Sequence, residues 1–93
     1  MLEKQIEQYL GKHVKDKGGM SIKLTNLIGI PDRLVLLPGG KCIFIELKAP
    51  GERPRKIQLK RMQQLRVLGF KTYVVDSYEK VDRLLSEVAE NGV

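Results

Sequence analysis

Asp32, Glu46 and Lys48 are the residues whose types and spacing suit metal-assisted chemistry. They lie within the stretch Pro31 to Lys48, which reads as a β-hairpin: the aliphatic runs Arg33 to Leu37 and Lys41 to Ile45 flank a three-residue Pro38-Gly39-Gly40 turn. Closure at that turn pairs Leu37 with Lys41. Counting outward, Leu36 opposes Cys42, Leu34 opposes Phe44 and Asp32 opposes Glu46, each pair on one side of the sheet. Lys48, two residues on, joins that side. At about 5 Å and an effective dielectric of about 20, two ionised carboxylates repel by roughly 3 kcal/mol, whereas a good cross-strand pair returns at most about 1 kcal/mol. The arrangement asks for a cation between the acids, and carboxylate oxygens suit a hard ion such as Mg²⁺ or Mn²⁺.

Several elements must hold this cluster. Leu2, Ile6, Tyr9, Leu10 and Val14 recur at helical spacing, which predicts a first helix from Leu2 to about Lys15, ended by Gly18-Gly19. On that helix Glu3 leans further toward the apolar centre than Glu7, and His13 reads as a half-buried packing residue. Met20 to Leu24 alternates as a half-buried strand, and Gly29 and Pro31 then set the approach to Asp32. The hairpin is apolar on both faces, as in the middle of a sheet covered on both sides. Two prolines and a glycine make Ala49 to Lys56 a loop. Ile57, Leu59, Met62, Leu65 and Leu68 predict a second helix stopped by Gly69, with Gln58 inside the stripe and Lys56 and Lys60 outside it. Phe70 to Asp76 is a fourth strand, and a helix between strands three and four implies a parallel crossover. Asp76-Ser77-Tyr78-Glu79 resembles a capping box ahead of a last helix through Tyr78, Val81, Leu84, Leu85 and Val88, ended by Asn91-Gly92.

The chain's 93 residues make a single domain, 1–93, too short to bury a large core. Seventeen Lys and Arg against eleven Asp and Glu give +6. Distribution matters more than the sum: Lys48 to Lys71 holds eight basic residues and one acid, Glu52, while the balance reverses from Asp76 onward. A one-sided basic region implies a polyanionic partner, nucleic acid before membrane, although a solvated surface explains charge alone equally well. One cysteine excludes an internal disulfide and a cysteine-based zinc site, and mid-strand Cys42 reads as a small buried hydrophobe. Neither a membrane span nor a signal-peptide core is visible, so a soluble, intracellular protein is expected.

Pro31-Asp32, then Glu46-Leu47-Lys48 on the next strand, then Gln58 at the start of the following helix: this series resembles the PD-(D/E)xK nuclease superfamily. Within it the chain resembles the virus-type replication-repair nuclease (VRR-NUC) domain over nearly its whole length, through Glu3, Gly29-Ile30-Pro31-Asp32, Phe44 to Gly51, and Gln58 to Val75. The resemblance implies an α/β fold: a single-domain, restriction-endonuclease-like αβββαβ core with a C-terminal helix and a mixed central sheet flanked by helices. It further implies that Asp32 and Glu46, with the Leu47 carbonyl and Glu3 through water, hold one or two Mg²⁺ or Mn²⁺ ions. Lys48 would orient or deprotonate the attacking water, or stabilise charge on the phosphate, and Gln58 would position substrate or water. Lys23, Arg33, Arg53, Arg55, Lys56, Lys60 and Arg61 are candidate phosphate contacts. The expected activity is that of a structure-specific endonuclease on branched DNA, a Holliday junction or a flap, acting as a homodimer without a small-molecule cofactor. The alternatives are an inactive nucleic-acid-binding module and a sequence-specific, restriction-type nuclease.

Overall fold

A computed structural model describes residues 1–91. In chain order the elements are α1 (Glu3–Asp16), β1 (Met20–Lys23), β2 (Arg33–Leu37), β3 (Lys41–Leu47), α2 (Lys56–Val67), β4 (Lys71–Val75) and α3 (Tyr78–Asn91). Gly92 of the expected helix stop lies outside the described residues. The helix order and the mixed sheet are those expected.

The strands form one sheet in the order β1-β2-β3-β4, antiparallel from β1 to β3 and parallel between β3 and β4. Leu37 pairs with Lys41, Leu36 with Cys42, Leu34 with Phe44 and Arg33 with Ile45, the register expected of the Pro38-Gly39-Gly40 closure. Gly39 and Gly40 both adopt positive φ, at 87° and 75°, which permits so short a connection. Continued by one residue, the same register sets Asp32 opposite Glu46.

The two faces of the sheet are covered unequally. Val35, Leu37, Ile43, Ile45, Leu47 and Val75 form one cluster with Ile6, Leu10 and Val14 of α1 and Val81, Leu84, Leu85 and Val88 of α3. This is the main core, and the α3 face is the apolar one read from spacing. The opposite face carries Leu34, Leu36, Cys42 and Phe44, all only half-buried. Full cover on both sides was expected, but α2 is a single helix and spans only part of that face. Its stripe is also narrower than the apolar spacing suggests: Met62 is buried and Ile57 and Leu65 half-buried, while Leu59 and Leu68 are exposed. Leu59 stands two residues, about 200°, from Ile57 and so cannot share its face. Cys42 is half-buried rather than buried.

At the start of α3 the cap is Ser77, whose hydroxyl accepts the Lys80 amide at 3.2 Å. Asp76 instead pairs with the Lys80 ammonium at 2.9 Å and accepts the Gly51 amide at 3.2 Å. No described helix is long and apolar enough to cross a membrane.

Candidate active site

The register that closes the hairpin also builds the site. Asp32 stands just before β2, where its carbonyl accepts the Leu24 amide at 2.8 Å, and its carboxylate Oδ2 crosses to β3 to accept the Leu47 amide at 3.0 Å. Glu46 lies beside that amide and is 1% exposed. Its Oε2 accepts from the Lys48 ammonium at 3.2 Å and from the Gln58 side-chain amide at 2.7 Å. Its Oε1 is buried with no hydrogen-bond partner among the described residues.

A buried carboxylate with one oxygen held and the other bare is costly to ionise. Accordingly Glu46 is pushed above the ordinary carboxylate range, first by desolvation and then by the Asp32 charge, against the opposing pull of Lys48. Burial is the larger cause, and the Asp32 charge adds to it. Asp32, Glu46 and the Leu47 carbonyl lie at one strand end and offer oxygen donors of the kind a hard divalent cation takes. Among the described residues no three His, Cys, Asp or Glu side chains gather closely enough to hold a metal by themselves. Two carboxylates supplemented by water and substrate phosphate are nevertheless a common set for Mg²⁺.

Gln58 enters the site through its place in α2. It is the third residue after the Arg55 cap, and its Oε1 accepts the Arg55 amide at 2.8 Å. The cap fixes the carboxamide, so its NH₂ is left aimed at Glu46. At 6% exposure Gln58 braces Glu46 from within the protein.

Helix α1 places Glu3 and Glu7 differently from expectation. Glu3 is exposed in the first turn, and its pKa is raised by partial desolvation and by Asp32, with Lys48 opposing. It therefore lies within the field of the site without joining a three-carboxylate cluster. Glu7 is the acid that reaches inward, because Arg33 waits for it at 2.6 Å.

Arg33 itself corrects its assignment as a phosphate contact. It is 6% exposed and paired with Glu7, and it donates to the Asp32 carbonyl at 3.3 Å. Alternation along β2 turns it to the α1 face, away from Asp32's side chain. Lys23, Arg53, Arg55, Lys56 and Lys60 are exposed, and Arg61 is half-buried with its guanidinium on Gln64 at 2.9 Å. His13 packs against Tyr9, with ring centroids 4.1 Å apart, as a half-buried packing residue. The turn Ala49 to Glu52, between Lys48 and α2, is closed by Glu52 donating to the Ala49 carbonyl and pinned by Asp76 through Gly51. Spacing does not single out Asp76, which is distant in sequence from that turn.

An acid ahead of one strand, an acid-x-lysine on its neighbour and a helix glutamine behind them, on a mixed sheet flanked by helices, define a restriction-endonuclease-like nuclease core. No family model matches the chain. It is 44% identical over 79 residues, 83% of its length and 85% of the relative's, to "Putative nuclease p44" of Acyrthosiphon pisum secondary endosymbiont phage 1. A solved structure described as "VRR_NUC domain" superposes with a TM-score of 0.81 at 30% identity, over 90% of this chain and 94% of that one. The chain belongs to the VRR-NUC family of nucleases.

Proposed function

We propose that the protein is a divalent-metal-dependent endodeoxyribonuclease that hydrolyses phosphodiester bonds in branched DNA, as a homodimer in the cytoplasm of a bacterial or phage-infected host. The observation that carries this reading is the divided Glu46 carboxylate, with Oε2 fixed by Lys48 and Gln58 and Oε1 bare, across the strand pair from Asp32. Asp32, Glu46 and the Leu47 carbonyl would hold Mg²⁺ or Mn²⁺, with Glu3 reaching the site through water. When bound, the ion supplies an activated water and neutralises charge on the scissile phosphate.

The protein's own groups do the rest. Lys48, kept in place by Glu46, presents its ammonium to the attacking water or to a phosphate oxygen as negative charge builds there. Gln58 keeps the Glu46 carboxylate in one rotamer, so the donor set is ready before substrate arrives. Arg53, Arg55, Lys56, Lys60 and Lys23 face solvent beside this strand end and would track the phosphates. The homodimer is supported by apolar surface that α2 leaves uncovered: Met20 and Ile22 on β1, and Val67, Leu68 and Phe70 at the end of α2, are exposed.

The test is cleavage of a panel of four-way junctions, flaps, linear duplex and single strands in Mg²⁺ and Mn²⁺, with solution mass measured alongside. Preferential cutting of branched substrates by a dimer is expected. Equal cutting of linear duplex would remove the branch preference, and binding without cutting in either metal would remove the enzyme.

A further inference from the structure

Among the described residues the most exposed large hydrophobe, Ile28, lies on the loop that delivers Asp32. Ile28 is 81% exposed and Leu27 57% exposed, at the tip of a turn in which the Ile30 amide donates to the Leu27 carbonyl at 3.3 Å. Single exposed hydrophobes are ordinary; two adjacent ones on a braced tip are less so. The bracing is specific. Gly29 has φ +79°, and a Cβ there would fall 2.7 Å from Ile57 Cγ1 and 3.0 Å from the Ile57 carbonyl oxygen, so the turn's base is pressed onto the start of α2. Asn26, at φ 64°, bends the chain into the turn from the other side.

The surroundings say what such a tip faces. No acid occurs between Asp16 and Asp32, while Lys23 is exposed before the turn and Arg61 packs against Gly29. A protein partner would not need a basic collar; a DNA backbone does. Asp32 stands four positions after Ile28, so their Cα atoms are at most about 14 Å apart, roughly four nucleotides of strand at about 3.4 Å each. Continuous duplex offers no opening to an apolar tip without an unstacking cost of a few kcal/mol. A branch point, where one arm only rests end to end on the next and can be parted from it, offers one.

We infer that Leu27 and Ile28 form an apolar wedge that seats against the exposed base pair at a DNA branch and places the cut within about four nucleotides of it. The inference rests on the branched-substrate reading and gives that reading its physical discriminator.

The experiment compares wild type, Ile28→Ser, Leu27→Ser/Ile28→Ser and the apolar control Ile28→Met. Each is assayed in Mn²⁺ on a four-way junction carrying 2-aminopurine at the branch and on linear duplex of the same sequence, with melting and solution mass recorded for each. The wedge predicts cuts within about four nucleotides of the branch. It also predicts that the junction-to-duplex cleavage ratio falls about tenfold in the serine variants, the loss of one partly buried aliphatic side chain against the base pair. Binding by those variants should no longer brighten the 2-aminopurine, and Ile28→Met should restore both readouts. A wild type that prefers junctions, with serine variants that prefer them equally, overturns the wedge and leaves the substrate reading standing. A wild type without preference overturns the substrate reading itself. Serine variants that turn monomeric assign the tip to the subunit interface and also overturn the wedge.

Discussion

The Gln58 carboxamide donates to Glu46 Oε2 at 2.7 Å while accepting the Arg55 amide at 2.8 Å, so one side chain ties the start of α2 to the carboxylate at the end of β3. Removing it breaks both links. Gln58→Ala is expected to cost about 1–3 kcal/mol of stability, because the Arg55 amide and a buried carboxylate oxygen each lose a partner. Divalent-ion affinity should weaken by about 10–100-fold, as for other groups that orient a ligand. Chemical denaturation and Mn²⁺ titration of the same variant measure the two effects.

Glu46 gives the pH dependence. Its pKa is raised in the fold, so the native state holds the proton more tightly than the unfolded chain. Its contribution to stability is fully present below the ordinary carboxylate pKa and is lost as pH rises through the raised folded value. Glu46→Gln, which carries no charge to bury, should therefore match wild type in acid and melt a few degrees higher at pH 8 without metal. Its cleavage should be abolished. In wild type, activity should fall as pH drops through the raised value, and melting curves against pH with and without Mn²⁺ check both limbs.

Glu7 and Arg33 form an asymmetric pair: the Arg33 side chain is buried and that of Glu7 partly exposed. Deleting Glu7 strands a buried cation, at a cost of about 3 kcal/mol or more. Deleting Arg33 lets Glu7 return to water. Glu7→Ala should thus destabilise more than Arg33→Met, and the double variant should recover part of the loss. A urea-denaturation cycle measures it.

Asp76 holds the turn after Lys48 through the Gly51 amide and is itself held by Lys80, the interaction that chiefly lowers its pKa. The depressed value makes its contribution present above the ordinary carboxylate range and lost as pH falls through the folded pKa. Asp76→Asn should cost about 1 kcal/mol at neutral pH. The turn should also become more open to proteases, with cleavage between Ala49 and Arg55 rising in limited digestion.

How far the sequence reaches can be seen residue by residue. The hairpin register was legible because a three-residue turn leaves one pairing that keeps Asp32 and Glu46 abreast, and Gln58 because a carboxamide in an apolar stripe needs a polar partner. Arg33 is not a phosphate contact, and period-two alternation already carries the reason: it puts Asp32 on one side and Arg33 on the other with Val35 and Leu37. The preference for Glu3 over Glu7 as the core-leaning acid came from helix geometry alone, whereas the buried cation on β2 decides it. The tie from Asp76 to Gly51 spans 25 residues and leaves no local pattern to read. Ile28 leaves no mark in the sequence, because an exposed isoleucine is distinguished only by its burial.

The most direct measurement is Mn²⁺ titration by calorimetry of wild type, Asp32→Ala and Glu46→Ala, with circular dichroism confirming that each is folded. A shared ion predicts a saturable site in wild type that vanishes in both variants. A site that survives in either one would contradict the pairing of positions 32 and 46 on which the catalytic account depends.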